Sequence, residues 1–319
     1  MTNKEKYIEL CERELFPLHA QAWWWEKCTV GKEWDAIILE NADGRIEAAM
    51  PYHILKRFCF RVMRMPVHTQ YHYVYINPQA SNTIYQKLAQ AIEEIAHREH
   101  LSWVYLQGFY PAALGEAMRK QGFTIKDRIT YHIDEIPTYD ELPTLFSVNK
   151  RRQLKKAKDM QLVDLSVETF YAFHAHCMHA QKKKIDYPER WAKAVLPEAL
   201  VRKQGRLIAA QDSNGGLLAA MFLAWDNEYS YFLLPCYDPA TKDRGAVAWL
   251  TAQALDITRQ MGLRFDFEGS MTPSIASSYQ QFGGKPVVYN SIEKFYSQPF
   301  RMALWLATTL RNLHFVPTQ

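Results

Sequence analysis

The chain has 319 residues, 48% apolar and 13% aromatic, enough for two packed domains at roughly 150 residues each. A net charge of +4, from 38 Lys and Arg against 34 Asp and Glu, is too small to imply a nucleic-acid partner by itself. Five scattered cysteines without CxxC spacing argue for reduced thiols in a cytoplasmic setting and against a zinc site, while the mixed-charge start and the lack of any ~20-residue apolar run argue against a secretory signal or a membrane span.

Residues 1–30 read as one or two helices ending in Trp23-Trp24-Trp25. Three adjacent indoles cannot share one helical face, so packing on the following sheet is the expected role, with stacking of a sugar or base as the alternative. From Ala36 to Met50 an apolar run, an Asn/Asp/Gly turn and a second apolar run predict a β-hairpin. The basic, aromatic passage from Lys56 to Tyr75 reads as two more strands around Met65-Pro66, with His68 and His72 alternating on a wet face. A helix from Thr83, a strand at Trp103, a helix from Pro111 and a strand from Phe123 to Ile133 follow, and Ile136-Pro137-Thr138-Tyr139 looks like a linker.

The next passage is the most basic, a helix capped by Ser147 or Asn149 that carries Lys150, Arg151, Arg152, Lys155, Lys156 and Lys158. So many cations on more than one face cannot all find carboxylates nearby. A solvated helix and a phosphate-binding surface both stay open, and Lys182-Lys183-Lys184 extend the positive field toward an acidic substrate or an RNA backbone. His174, His176, Cys177 and His179 crowd the following helix, but only His176 and His179 have ligand spacing, so an imidazole-rich amphipathic helix is expected and no metal. A helix from Arg190 to Lys203, a hairpin from Leu207 to Met221 and a strand from Trp225 to Leu234 come next, ended by Pro235-Cys236-Tyr237-Asp238.

Asp243-Arg244-Gly245-Ala246 opens a helix with Val247, Leu250, Ala254, Ile257 and Met261 on one face, closed by Gly262. The strand Leu263–Ser270 alternates Phe265 and Phe267 against Arg264, Asp266 and Glu268. Three charges on one face of a short strand are expensive unless they pair or work, and Asp266 is expected to pair with Arg264. A helix from Pro273 to Phe282-Gly283-Gly284 and a strand from Pro286 to Tyr296 follow. The tail, Phe300–Phe315, sets Phe300, Leu304, Leu306, Leu310 and Leu313 against Arg301, Arg311 and Asn312, either packing on the domain or, with Trp305, resting on a membrane surface.

The chain repeats itself. At a shift of 162 positions, Leu101 falls on Leu263, Trp103–Leu106 on Phe265–Glu268, Pro111 on Pro273 and Gly122 on Gly284; at a shift of 171, Ala36–Met50 falls without a gap on Leu207–Met221. Two copies of one unit, hairpin–helix–strand–helix–strand, are predicted.

This order of three strands, a helix opened by a small-residue loop, then strand, helix and strand resembles the GNAT acyltransferase fold. Two such units resemble the FemAB family, aminoacyl and acyl transferases of bacterial cell-wall and envelope building. The specific marks are Asn149-Lys150-Arg151-Arg152-Gln153-Leu154-Lys155-Lys156-Ala157, Asp266-Phe267-Glu268-Gly269-Ser270, Ser274-Ile275 and Tyr279-Gln280-Gln281-Phe282-Gly283-Gly284. The resemblance implies an α+β (α/β-like) protein of two tandem GNAT-like domains, residues 1–136 and 137–319, each a mixed, mostly antiparallel sheet flanked by helices. The donor loop is degenerate in the first copy (Asn82-Thr83-Ile84), while Lys242-Asp243-Arg244-Gly245-Ala246 matches only part of the Arg-x-x-Gly-x-Gly/Ala pattern of the pyrophosphate loop.

A helix N-terminus offers unpaired amides and partial positive charge, Gly245 allows close approach, and Arg244 adds a bidentate donor, so Arg244, Gly245 and Ala246 are the expected donor-binding residues. Acyl transfer needs a deprotonated nucleophile and a proton for the leaving group. Glu268 is the candidate base or ammonium-orienting group; Tyr237 and Tyr279 are candidate proton donors, with packing an equal reading; Lys150, Arg151, Arg152, Lys155, Asp266 and Ser270 are candidate substrate contacts. The donor is acyl-CoA through the Arg244 loop or aminoacyl-tRNA across Lys150–Lys158, with no tightly bound cofactor or metal. The acceptor is an amine or hydroxyl of a small-molecule or lipid-linked envelope precursor. A catalytically silent module binding an acidic glycan, lipid head group or RNA is the alternative.

Overall fold

The computed structural model describes residues 1–30, 33–269 and 271–313, less the side chains of Asp243 and of residues 310–313. In chain order its helices and strands are α1 (Asn3–Arg13), α2 (Ala22–Cys28), β1 (Trp34–Glu40), β2 (Ile46–Arg57), β3 (Phe60–Arg64), β4 (Tyr75–Ile76), α3 (Ile84–Arg98), β5 (Trp103–Gly108), α4 (Ala112–Lys120) and β6 (Thr124–Ile133). The second half continues with α5 (Val148–Lys156), β7 (Gln161–Asp164), α6 (Val167–Ala180), α7 (Glu189–Val201), β8 (Gly205–Gln211), β9 (Leu217–Trp225), β10 (Tyr229–Tyr237), α8 (Ala246–Gln260), β11 (Arg264–Asp266), α9 (Pro273–Gln281), β12 (Lys285–Phe295) and α10 (Gln298–Leu313).

The chain divides into two compact units, one of residues 1–14, 19–127 and 289–319, the other of 15–18 and 128–288. In the first, β2 pairs antiparallel with β1, β3 and the short β4, β3 runs parallel to β5, and β5 pairs antiparallel with the C-terminal half of β12. In the second, β7, β8, β9 and β10 form an antiparallel run, β10 lies parallel to β11, and β11 pairs antiparallel with the C-terminal half of β6. Both sheets are mixed and mostly antiparallel.

The fold reproduces the internal repeat. Shifted by 162, α3 coincides with α8 end to end, and the two hairpins carry the same irregularity, a bulge at Leu39/Glu40 and another at Ala210/Gln211, which are 171 apart. A bulge is specified by local sequence and twist, so its recurrence marks the hairpins as equivalent.

The division differs from the expected boundary at 136. β12 supplies the antiparallel neighbour of β5, carrying residues 289–319 into the first unit, while Ile133 and His132 of β6 pair with Phe265 and Asp266, placing residues 128–136 in the second. Each copy is closed by the last strand of the other. Strand edges are satisfied by whichever chain segment pairs with them, and sequence similarity between copies does not reveal such an exchange.

Each unit has its own core. Leu88 and Ile92 of α3 pack with Val104, Leu106, Met118 and Phe123 in the first; Leu250 and Leu255 of α8 pack with Phe232, Phe265, Phe267 and Phe282 in the second. Trp23, Trp24 and Trp25 are all buried, and Trp24 Nε1 donates to Thr69 while Trp25 Nε1 donates to the His19 carbonyl. The strand expected through His68 and His72 is absent: residues 67–74 are irregular, and His72 is buried, its Nε2 at 2.7 Å from the Pro51 carbonyl. Burial pushes that imidazole down to about 4, so it is neutral and donates. The five cysteines carry no disulfide.

A chain ending at residue 136 lacks β12 and leaves the edge of β5 open. Urea titration followed by circular dichroism is expected to show no cooperative transition for this fragment, and a sharp two-state transition would overturn the strand exchange.

Candidate active site

The β10–α8–β11 segment of the second unit is a parallel crossover, so the carboxyl ends of both strands and the N-terminus of α8 come to the same end of the sheet. In open parallel arrangements that end is where ligands bind. The parallel pairing lasts three residues, Tyr229 with Arg264, Ser230 with Phe265 and Tyr231 with Asp266. β11 then stops, while β10 runs on to Tyr237 with a bulge between Leu233 and Cys236, where Leu234 has a φ of 49° and Pro235 is exposed. The strands therefore part, leaving one edge of β10 open beside the end of β11.

Two residues end β11 sharply. Glu268 has a φ of 60° and Gly269 one of 64°. At Gly269 a Cβ would come within 2.6 Å of the Ile129 carbonyl oxygen, so the turn requires glycine for space as well as for conformation. Glu268, lacking that freedom, is held in an uncommon backbone state, of the kind that concentrates at functional sites. Its amide donates to Asp266 Oδ1 at 2.7 Å, and its side chain is half-buried.

Asp266 is the most enclosed charge here. It is 2% exposed, accepts from Thr130 Oγ1 at 2.6 Å and has Oδ2 at 3.3 Å from His132 Nε2. The expected pair with Arg264 does not form: Arg264 meets Glu228 and, at 3.9 Å, Asp134, and its guanidinium lies over the Tyr229 ring. β6 alongside provides Thr130 and His132 instead. Sequence reading missed both; the signal available was their i, i+2 spacing on a predicted strand, which sets them on one face.

Of the two candidate tyrosines, Tyr279 stacks on Phe267 with ring centroids 4.6 Å apart. Burial, with Glu268 and Asp266 nearby, pushes its phenol far above 10, so it stays protonated at neutral pH and serves as a hydrogen-bond donor, not as a titrating acid. Tyr237 ends β10, half-buried, its carbonyl accepting from Gln181 Nε2. Cys236, next to it, is buried against Cys177; their hydrogen bond, and then burial, raise the Cys236 thiol well above its ordinary value and keep it protonated.

The loop before α8 is a 3-10 turn, Pro239–Arg244, followed by Gly245 in a left-handed conformation with a φ of 80°. A Cβ on Gly245 would sit 2.0 Å from the Gln153 carbonyl oxygen, so α5 lies directly against this tip and both Gly245 and Ala246 are buried. Arg244 is exposed and donates from Nη1 to Asp212 in the β8–β9 turn at 2.7 Å, which holds the Asp212 carboxyl below the usual range. One donor of its fork is thus occupied by the hairpin. Ser270 lies outside the described residues.

The basic helix α5 separates into three kinds of cation. Arg151 Nη1 donates to the Phe146 carbonyl at 2.8 Å, holding the preceding turn. Arg152, Lys155, Lys156 and Lys158 are exposed and make no ion pair with a carboxylate among the described residues. Lys150 is buried, 7% exposed, with Nζ 3.0 Å from Ser278 Oγ and 4.1 Å from the Phe282 ring centroid. No carboxylate among the described residues accompanies it, and burial lowers its pKa to about 8.

Comparisons with known proteins agree with this fold. Residues 148–274, which span α5 to the start of α9, match the family model described as acetyltransferase (GNAT) domain. Among solved structures, FemX aligns with 95% of this chain and 98% of its own at a TM-score of 0.72 and 11% identity. The C-terminal domain of an Agrobacterium fabrum protein assigned as a lysylphosphatidylglycerol synthetase aligns over 97% and 96% at 0.59 and 13% identity. A tandem GNAT protein from the clavulanic acid biosynthesis pathway aligns over 83% of both chains at 0.51 and 12% identity. No protein of curated function matches by sequence. Residues 148–274 are thus similar to a GNAT acetyltransferase domain. The chain as a whole has the tandem GNAT fold of the FemAB-like kind, the fold FemX displays.

Lys150 has a lower pKa folded than its ordinary 10.5, so the unfolded chain binds the extra proton and stability rises as pH climbs from about 8 to 10.5. Lys150→Met is expected to raise the thermal midpoint below pH 8, with the gain shrinking across that window; a lower midpoint at pH 7 would contradict an uncompensated ammonium. Gly245→Ala, facing both the left-handed backbone and the Gln153 carbonyl, is expected to cost about 2 kcal/mol or more in urea titration.

Proposed function

We propose that the second unit is the catalytic centre of an N- or O-acyltransferase that passes an acyl group from acyl-CoA to an amine or hydroxyl of a cell-envelope precursor, soluble or lipid-linked. The observation that carries this reading is the parting of β10 from β11 at the N-terminal end of α8, inside the stretch that matches the GNAT domain. A thioester carrier laid along the open edge of β10 has backbone groups to pair with, and its pyrophosphate falls toward the exposed Arg244 beside the α8 tip, since Gly245 and Ala246, expected to receive it, are buried, with α5 against Gly245. Arg244 must then trade its Asp212 contact for phosphate, or hold both.

Glu268, at the mouth of the opening, takes the proton from the acceptor or orients its ammonium. Asp266, anchored by Thr130 and near His132, positions Glu268 through the Glu268 amide. Tyr279 and Tyr237 wall the site and donate hydrogen bonds toward the departing sulfur. Lys150 is a reserve of positive charge retained at a cost in stability, a pattern that goes with function.

A second donor has an observation of its own. Arg152, Lys155, Lys156 and Lys158 form an exposed basic surface that suits the phosphates of an aminoacyl-tRNA.

The test is thiol release and thermal shift with acetyl-CoA and longer acyl-CoA thioesters. Glu268→Gln is expected to lower kcat/KM by about 10² to 10⁴, and Arg244→Glu to raise the KM for acyl-CoA about tenfold. If both variants leave a measured transfer rate unchanged, the site is misplaced. If no thioester shifts the midpoint while tRNA binds with steep salt dependence, the donor is aminoacyl-tRNA. Absence of transfer with every donor favours the silent binding module.

A further inference from the structure

The first unit carries an exposed apolar surface that the chemistry above does not use. Helix α10 docks through Phe300, which is fully buried among Trp103, Val62, Phe60 and Phe295, with Leu304 packed on the same cluster. That inward face does not include every apolar residue of the helix. Met302, Trp305 and Leu306, spaced i, i+3 and i+4, form a second stripe pointing outward, 70%, 67% and 53% exposed. The expected apolar face put Leu306 inward with Phe300; in the fold it belongs to the outer stripe. Helices with one docking face ordinarily turn polar residues to water, so an outer stripe holding tryptophan, methionine and leucine needs an occupant.

Beside it stands the β2–β3 turn, whose Phe58 is 64% exposed at a φ of 56°. The turn is tied to α10 by the ring contact of Phe60 with Phe300, centroids 5.2 Å apart. The flanking charges are positive. Lys56, Arg57 and Arg301 make no ion pair with a carboxylate among the described residues, Arg301 instead lying over the Phe295 ring, while Arg61 pairs with Glu99.

We infer that α10 and the β2–β3 turn together form a membrane-docking surface, which sets Phe58, Met302, Trp305 and Leu306 into the headgroup region of an anionic bilayer while Lys56, Arg57 and Arg301 meet lipid phosphates. Exposed rings and aliphatic chains rimmed by unpaired cations complement a surface that is apolar beneath and negative above. A neutral protein partner would give those cations nothing to pair with. At about 1.5 Å per residue α10 is long enough to lie in the interface, and no helix among the described residues is long and apolar enough to cross a membrane.

The inference stands apart from the proposed transfer reaction, because its test uses neither donor nor acceptor. The full chain is sedimented with vesicles of equal parts phosphatidylglycerol and phosphatidylcholine, and with phosphatidylcholine alone. Binding to the mixed vesicles only is expected, falling about fivefold for each of Lys56→Gln and Arg57→Gln and also falling for Trp305→Gln and Phe58→Asn. Asparagine tolerates the left-handed backbone at position 58, so that variant should fold normally. Trp305 is the only exposed tryptophan of the nine, so brominated acyl chains should quench a component of the emission that Trp305→Phe removes. No sedimentation with mixed vesicles, equal binding to the neutral ones, or a lipid-free dimer that Trp305→Gln converts to monomer would each overturn the assignment.

Discussion

The candidate site depends on how briefly β10 and β11 stay together. Three parallel pairs hold them, and then β11 turns away at Glu268 and Gly269 while β10 continues through its bulge. Had the pairing continued, the carboxyl ends of both strands would be closed by backbone hydrogen bonds, and the α8 tip would face a sealed edge. Both devices that open the strands are local: left-handed residues at the end of one, a bulge in the other. Each leaves backbone groups without ladder partners, which is tolerable only where solvent or a ligand can reach them.

Around that opening the protein maintains charge in places where hydrophobic residues would be more stable. Asp266 is buried and held by a hydroxyl, an amide and an imidazole, without the arginine that its strand carries nearby. Lys150 is buried over an aromatic ring without a carboxylate partner among the described residues. A buried charge of either sign has a desolvation cost that hydrogen bonds only partly offset. Both lie in the GNAT-type stretch, and the first unit, built on the same plan, has Leu106 where the second has Glu268. The asymmetry between the copies is therefore chemical: they share a framework, and polar burial at the strand end is concentrated in one.

Close approach between backbones sets the other limit. Gly245 brings α8 against the Gln153 carbonyl of α5, so the basic helix and the candidate donor loop are held together by a contact no larger residue permits. The cations of α5 divide accordingly, Arg151 fastening the turn before it, Lys150 reaching inward, the others remaining in water. A charge run in sequence carries none of this division, because successive helical residues point in different directions and only the neighbours decide what each meets.

Much of the fold was legible in sequence, because the signals involved are local and repeated. The hairpins, the helices α3 and α8, and the prolines and glycines bounding them recur at fixed shifts, and hydrophobic periodicity fixed their faces. Asp266 and Glu268 stand out for the same reason, as charges on one face of a short strand, whereas Lys150 is visible in sequence only as one of a run of cations. The tertiary structure alone decided which strand completes which sheet, that Asp266 is served by Thr130 and His132 from β6, and that Arg264 turns instead to Glu228 and Asp134. These partners come from segments distant in the chain, and nothing in the spacing of residues encodes which free edge or which buried charge a remote strand will reach.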